Sequence, residues 1–300
     1  MALRSLDNAL PITPERPKKQ AKVSLAPPQA PDVCPNDENK APLPPPGDAA
    51  IDYITSENLC PIKDPDSSIH CLMEGLESKD WTKVCRSLND ARRFALFNPD
   101  LLLPHLDEVV TVVVKATKNP RSALCKTAVM AASDFFNAYG DKLLQSDTFD
   151  SMLLQLLLKS SQDKRFVCEE ADKAISALVR STSPVKLLHK LRAFVSHPNL
   201  RIRAKAAGSI SACVSSMGWD RMEEFGKASL LQVAAELLND RLPEAREAAR
   251  GVAACLYECV GGEESGSDAK EAWQSFCQGS LPSAQVQSMV KIMIISTNPN

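Results

Sequence analysis

Five stretches of the chain align with one another without gaps, and this self-similarity constrains the fold more than any other feature. They are residues 84–95, 124–135, 167–178, 202–213 and 245–256. The first, fifth, eighth and twelfth positions are apolar or small in each. The first stretch has Val84, Leu88, Ala91 and Ala95, and the fourth has Ile202, Ala206, Ser209 and Cys213. Offsets of 0, +4, +7 and +11 fall on one face of an α-helix. Successive stretches start 40, 43, 35 and 43 residues apart. Periods in this range belong to helical arrays, in which each unit buries its apolar face only by stacking on the next.

Each stretch follows a segment richer in Leu and Val, at roughly 68–77, 100–117, 147–160, 184–196 and 222–239. The repeating unit is therefore a helix pair. Asp80, Asn119, Asp163 and Ser183 are placed as N-caps, with Pro120 and Pro184 next in line, where a missing N–H costs nothing. Small residues at the inner positions let neighbouring helices approach closely. The expected fold is all-α, an α-solenoid of about five to six HEAT-type helix pairs.

Four regions follow from the pattern. Residues 1–60 hold 11 of the 21 prolines and no apolar period, so a disordered Pro-rich leader is expected. It contains a basic cluster, Arg16, Lys18, Lys19 and Lys22, readable either as solvated linker or as a tether for an acidic surface. Residues 66–260 are the repeat domain. Residues 261–268, GGEESGSD, read as a flexible break, and 269–300 as a helical cap and tail.

Composition removes several functions. Net charge is -2, which offers no global field for nucleic acid or membrane. The first ten residues contain Asp7 and run into Pro11, so no secretory signal forms. No run of about 18 apolar residues exists to span a bilayer. The ten Cys include no C-x-x-C pair, and seven lie inside helix patterns, which fits a reduced, intracellular compartment. No phosphate-binding glycine loop is present. His70 and Cys71 lack a third ligand at metal spacing, and Glu169 and Glu170, consecutive on a helix, point apart. No enzyme activity, cofactor or metal is expected.

The second helices resemble those of HEAT repeats, with Ile202-Arg203 and Ala245-Arg246 as the apolar–Arg pair and Cys following Val84, Leu124 and Val167. Residues 66–260 resemble more closely a TOG domain of the kind found in CLASP, crescerin and the microtubule polymerases. The first turn, Glu77-Ser78-Lys79-Asp80-Trp81, opens a second helix with Trp, and Arg86 lies just beyond. Later turns carry Lys118 and Arg121, Lys164 and Arg165, Arg201, and Arg241. The resemblance implies a flat paddle whose intra-pair turns line one narrow edge. It also implies that this edge grips tubulin or microtubules, in a monomeric, cytoplasmic and cytoskeletal protein.

Elementary physics supports that edge independently. A helix-pair solenoid puts every intra-pair turn on one side. Trp81, Lys118, Arg121, Lys164, Arg165, Arg201 and Arg241 then form one ridge. Cations at helix N-termini oppose the helix dipole at about 0.3–1 kcal/mol each, so several of them indicate a use beyond helix stability. Trp and Arg are the residue types that dominate interface energetics. Trp81 has two open readings, an exposed anchor among Lys79, Asp80, Thr82 and Lys83, or a core residue under the first pair. The alternative function is a HEAT scaffold or adaptor for a partner other than tubulin.

Overall fold

A computed structural model describes residues 53–162, 164–261 and 267–296, with side chains to residue 292 in the last stretch. Asp163 and the basic cluster of the leader lie outside the described residues. Among the described residues there is no strand, and the helices are α1 (Pro65–Leu76), α2 (Trp81–Phe97), α3 (Pro99–Leu102), α4 (Leu106–Thr117), α5 (Ser122–Tyr139), α6 (Phe149–Lys159), α7 (Arg165–Ser181), α8 (Pro184–Arg192), α9 (Leu200–Ser215), α10 (Trp219–Phe225), α11 (Lys227–Leu238), α12 (Pro243–Gly261), α13 (Ser267–Ser280) and α14 (Ser283–Ser296).

The architecture is an all-α HEAT solenoid. The five aligned stretches fall in α2, α5, α7, α9 and α12. These second helices form one layer, with α2 on α5, α5 on α7, and α9 on α12. The stripe predicted at offsets 0, +4, +7 and +11 is the buried one. Leu88, Ala91, Ala128, Ala131, Ala171, Ala174 and Ala206 are fully buried. Alanines at the crossings bring the axes close enough for Phe94, Phe135 and Phe136, all fully buried, to fill the space between layers. Each such ring contributes about 1.5–3 kcal/mol of transfer free energy. Further along, α13 packs on α12, and α14 on both, burying Trp273, Cys277 and Met289.

Two first-layer segments expected as single helices are broken, each for a local reason. Residues 100–117 divide into α3, a 3₁₀ turn at Leu103–His105 and α4, because Pro104 lacks the N–H that a continuous helix needs. Residues 222–239 divide into α10 and α11 at Gly226, whose φ of 98° is left-handed. Gly140, at φ 49°, ends α5, and a Cβ there would come 2.5 Å from the Ser181 carbonyl oxygen.

The assumed end of the leader differs too. Residues 54–59 cross the second-helix layer as a short strap. Arg92, fully buried in α2, pairs with Asp134 of α5 at 2.6 Å. The Arg92 Nη1 donates to the Ile54 carbonyl at 2.8 Å and to Asn89 at 2.9 Å. The Ser56 hydroxyl donates to Asp134 at 2.6 Å, and Leu59 is buried. A buried ion pair with its remaining donors and acceptors satisfied thus holds the strap down.

Among the described residues no helix is long and apolar enough to cross a membrane.

Candidate functional site

The intra-pair turns share a local construction. Asp80 caps α2, its carboxylate accepting from the Thr82 N–H at 2.9 Å and hydroxyl at 2.8 Å. Those bonds hold its pKa below the usual carboxylate range. Asn119 accepts from the Arg121 N–H at 2.9 Å, Asn199 from the Arg201 N–H at 3.0 Å, and Asp240 from the Leu242 N–H at 2.9 Å. In each case an Asp or Asn bonds the N–H two residues on, a turn such side chains favour. Asn199 is the N-cap of α9, whereas Asp240 lies in the turn before α12. One cap expectation is corrected. Arg121, not Asn119, occupies the N-cap position of α5, so Pro120 sits in the turn. Ser183 does occupy the N-cap of α8, with Pro184 at N1, but its side chain makes no capping bond. Instead its N–H donates to Asp141.

The residue after the first apolar position closes the turn from the other side. Cys125 donates to the Thr117 carbonyl at 3.3 Å, and Cys168 to the Lys159 carbonyl at 3.2 Å. Arg203 donates to the His197 carbonyl at 2.9 Å, and Arg246 to the Asp240 and Arg241 carbonyls at 2.7 and 2.9 Å. Cys and Arg thus do the same work at that position, satisfying carbonyls of the turn or of the helix end before it.

Each turn is then tied to the next. The Arg121 guanidinium carbon lies 5.4 Å from the centroid of the Trp81 ring. Lys164 donates to the Ser122 hydroxyl at 2.8 Å. Arg201 donates to the Ser161 carbonyl at 3.1 Å. Arg203 pairs with Asp240 at 2.7 Å. Links 37 to 42 residues apart in sequence therefore join the first to the fifth turn in one row.

The cations occupy distinct places along it. Lys118 is exposed at the C-cap of α4, where a positive charge suits the helix dipole. Arg121 and Lys164 are N-caps, Arg165 opens α7, and Arg201 is the second residue of α9. All are exposed, as is Arg241. Lys118, Lys164 and Arg201, with Ser122, Cys125 and Asn199, line a single cleft of about 940 Å³ between the second and fourth turns. Arg165 pairs with Glu169 at 2.7 Å, with side chains 92% and 55% exposed, so the contact adds little stability. In the fifth turn burial pushes the Asp240 carboxyl up, but the Leu242 N–H and Arg203 outweigh it and hold the pKa low.

Trp81 matches neither simple expectation. Its indole is half-buried, packed against the core, with Arg121 over its face. Full exposure is thus corrected: the ring is part foundation and part surface. Sequence spacing gave no sign of this, because the covering cation comes from the next repeat.

Among the described residues no group of three or more His, Cys, Asp or Glu is placed to hold a metal ion.

Stacked helix pairs with a cross-linked row of basic turns define a HEAT-repeat module of the TOG type. The family described as CLASP N terminal matches residues 96–271, and the chain belongs to that family. It is 30% identical over 199 residues to TOG array regulator of axonemal microtubules protein 1 of Mus musculus, covering 65% of this chain and 11% of that protein. The chain thus spans about a tenth of that relative. Among solved structures, the TOG domain of C. elegans Zyg9 superimposes with a TM-score of 0.54 at 19% identity, covering 81% of this chain and 91% of that one. The MAST/Orbit N-terminal domain does so with a TM-score of 0.53 at 14% identity, covering 75% and 96%. These likenesses concern the fold.

Proposed function

We propose that this chain is a non-enzymatic, tubulin-binding module, and that the row of intra-pair turns is its contact edge. The supporting observation is the linked row itself, in which Trp81 meets Arg121, Lys164 meets Ser122, Arg201 meets Ser161 and Arg203 meets Asp240, with Arg165 and Arg241 exposed beside those links. The curated relative is a regulator of axonemal microtubules, and one fold neighbour is described in terms of TOG–tubulin binding specificity. An acidic partner surface suits the edge. Complementary charge steers encounter and fixes register, and guanidinium groups meet carboxylates in a bidentate fork. Binding of this kind needs no cofactor, nucleic acid or membrane. Such binding would place the protein with the microtubule cytoskeleton.

The test is gel filtration of the full chain with purified tubulin. Co-elution is the expected result, and separate elution at micromolar concentrations rejects the reading.

A further inference from the structure

The large apolar side chains that stand exposed among the described residues are Tyr53, Phe97, Phe166 and Trp219. Tyr53, 42% exposed, and Phe166, 43% exposed, share one neighbour. The Lys126 ammonium lies 4.6 Å from the Tyr53 ring centroid and 6.0 Å from that of Phe166. All three sit beside the row of turns. Phe166 directly follows Lys164 and Arg165 at the start of α7. Lys126 is one helical turn beyond Ser122, the residue that Lys164 bonds. Tyr53 comes from outside the repeats, and the next residues of the strap hold it in place, Ile54 on Arg92 and Ser56 on Asp134.

We infer that Tyr53, Lys126 and Phe166 form a second contact patch of the turn edge, an aromatic clamp for the acidic protein surface proposed above, and this rests on the tubulin reading. Aromatic rings supply large contact area at little rotamer cost, and interfaces are enriched in them. Here the ordering cost of the strap is met in the unbound protein by a buried ion pair, so it does not count against binding. The surrounding charge selects the occupant. Lys126, Lys164 and Arg165 flank the rings. Glu169 is taken by Arg165, and Glu170 is shared between Lys126 at 3.8 Å and Lys173 at 3.1 Å. A partner that fits presents carboxylates around a small apolar spot. The strap then belongs to the binding face, although it precedes the first repeat.

Fluorescence titration of labelled tubulin with the full chain tests this. Tyr53→Ser combined with Phe166→Ser is expected to weaken binding about tenfold. Tyr53→Phe combined with Phe166→Tyr, which keeps both rings, is expected to stay within twofold of the unaltered chain. Thermal melts of both variants are expected to match it, since both rings are exposed. If the unaltered chain binds and the double Ser variant binds equally well, the clamp is overturned and the edge stands. If the unaltered chain fails to bind, the tubulin reading falls and the clamp with it.

Discussion

The two long edges of the solenoid hold some of their cations in different ways. On the edge between pairs, Lys186 meets Asp141 at 2.9 Å, and within the first-helix layer Lys190 of α8 meets Asp150 of α6 at 2.9 Å. Charge is cancelled there by carboxylates one or two elements away. On the intra-pair edge Arg165 and Arg203 are likewise paired, with Glu169 and Asp240, but Arg121 is held by an indole and Lys164 by a hydroxyl. Both are positioned, and neither is neutralised. The difference teaches that counting basic residues says little about a surface. What sets the field is whether the atom that orients a cation also cancels it.

The largest effect that would break this comparison lies between the edges. Asp134→Ala leaves the Arg92 charge buried without its partner, and is expected to cost about 3–5 kcal/mol in urea unfolding. Replacing both partners with apolar residues, Arg92→Met with Asp134→Leu, is expected to recover most of that loss. If the single variant costs under about 1 kcal/mol, the strap is not held by this pair.

Next in size is charge reversal on each edge. Lys164→Glu with Arg201→Glu is expected to weaken tubulin binding about a hundredfold in a titration at low salt. Lys142→Glu with Lys186→Glu, on the other edge, is expected to leave it within twofold. Equal losses from the two pairs would erase the distinction. Raising ionic strength is expected to weaken the unaltered chain toward the first variant, because exposed charges are screened within about 8–10 Å.

The smallest effect concerns acid. Asp141 on one edge and Asp240 on the other both titrate below the ordinary Asp value of 3.8. For Asp141, burial raises the pKa, and the Ser183 N–H and Lys186 outweigh it. A depressed carboxylate contributes stability above its unfolded pKa and loses it as pH falls through the folded one. Stability is therefore expected to drop below about pH 4. Asp141→Asn is expected to flatten that limb by less than about 1 kcal/mol, since exposure weakens its pair with Lys186, and Asp240→Asn by more, because the Asp240 side chain is only 5% exposed. NMR titration of the two carboxyls checks the order directly, and midpoints at or above 3.8 would contradict the assignment.

Much of the fold was legible because apolar period and burial share a cause. Leu88, Ala128 and Ala171 repeat at helical offsets since only that face meets the next helix. The strap was not legible. A 3₁₀ turn at Ser56–Asn58 carries no period, and Arg92 reads as one more surface cation until Asp134, 42 residues away, is placed against it. Asn199 and Asp240 are recognisable in retrospect as the residue two before a bonded N–H. The cations of the edge were legible as one ridge, since the intra-pair turns of a helix-pair solenoid share a side, but the links between neighbouring turns were not. Trp81 was legible as unusual, while its half-buried state depends on Arg121, which only stacking brings near.

The links between turns have one further consequence. Each spans a single repeat. The spacing of the edge is therefore inherited step by step, as in a chain gauge, with the helix diameters setting the pitch. Lengthening one turn would displace its own tooth and leave the intervals on either side intact. Loss of the Ser122–Lys164 bond would free Lys164 and leave the interval to the packing of α5 on α7.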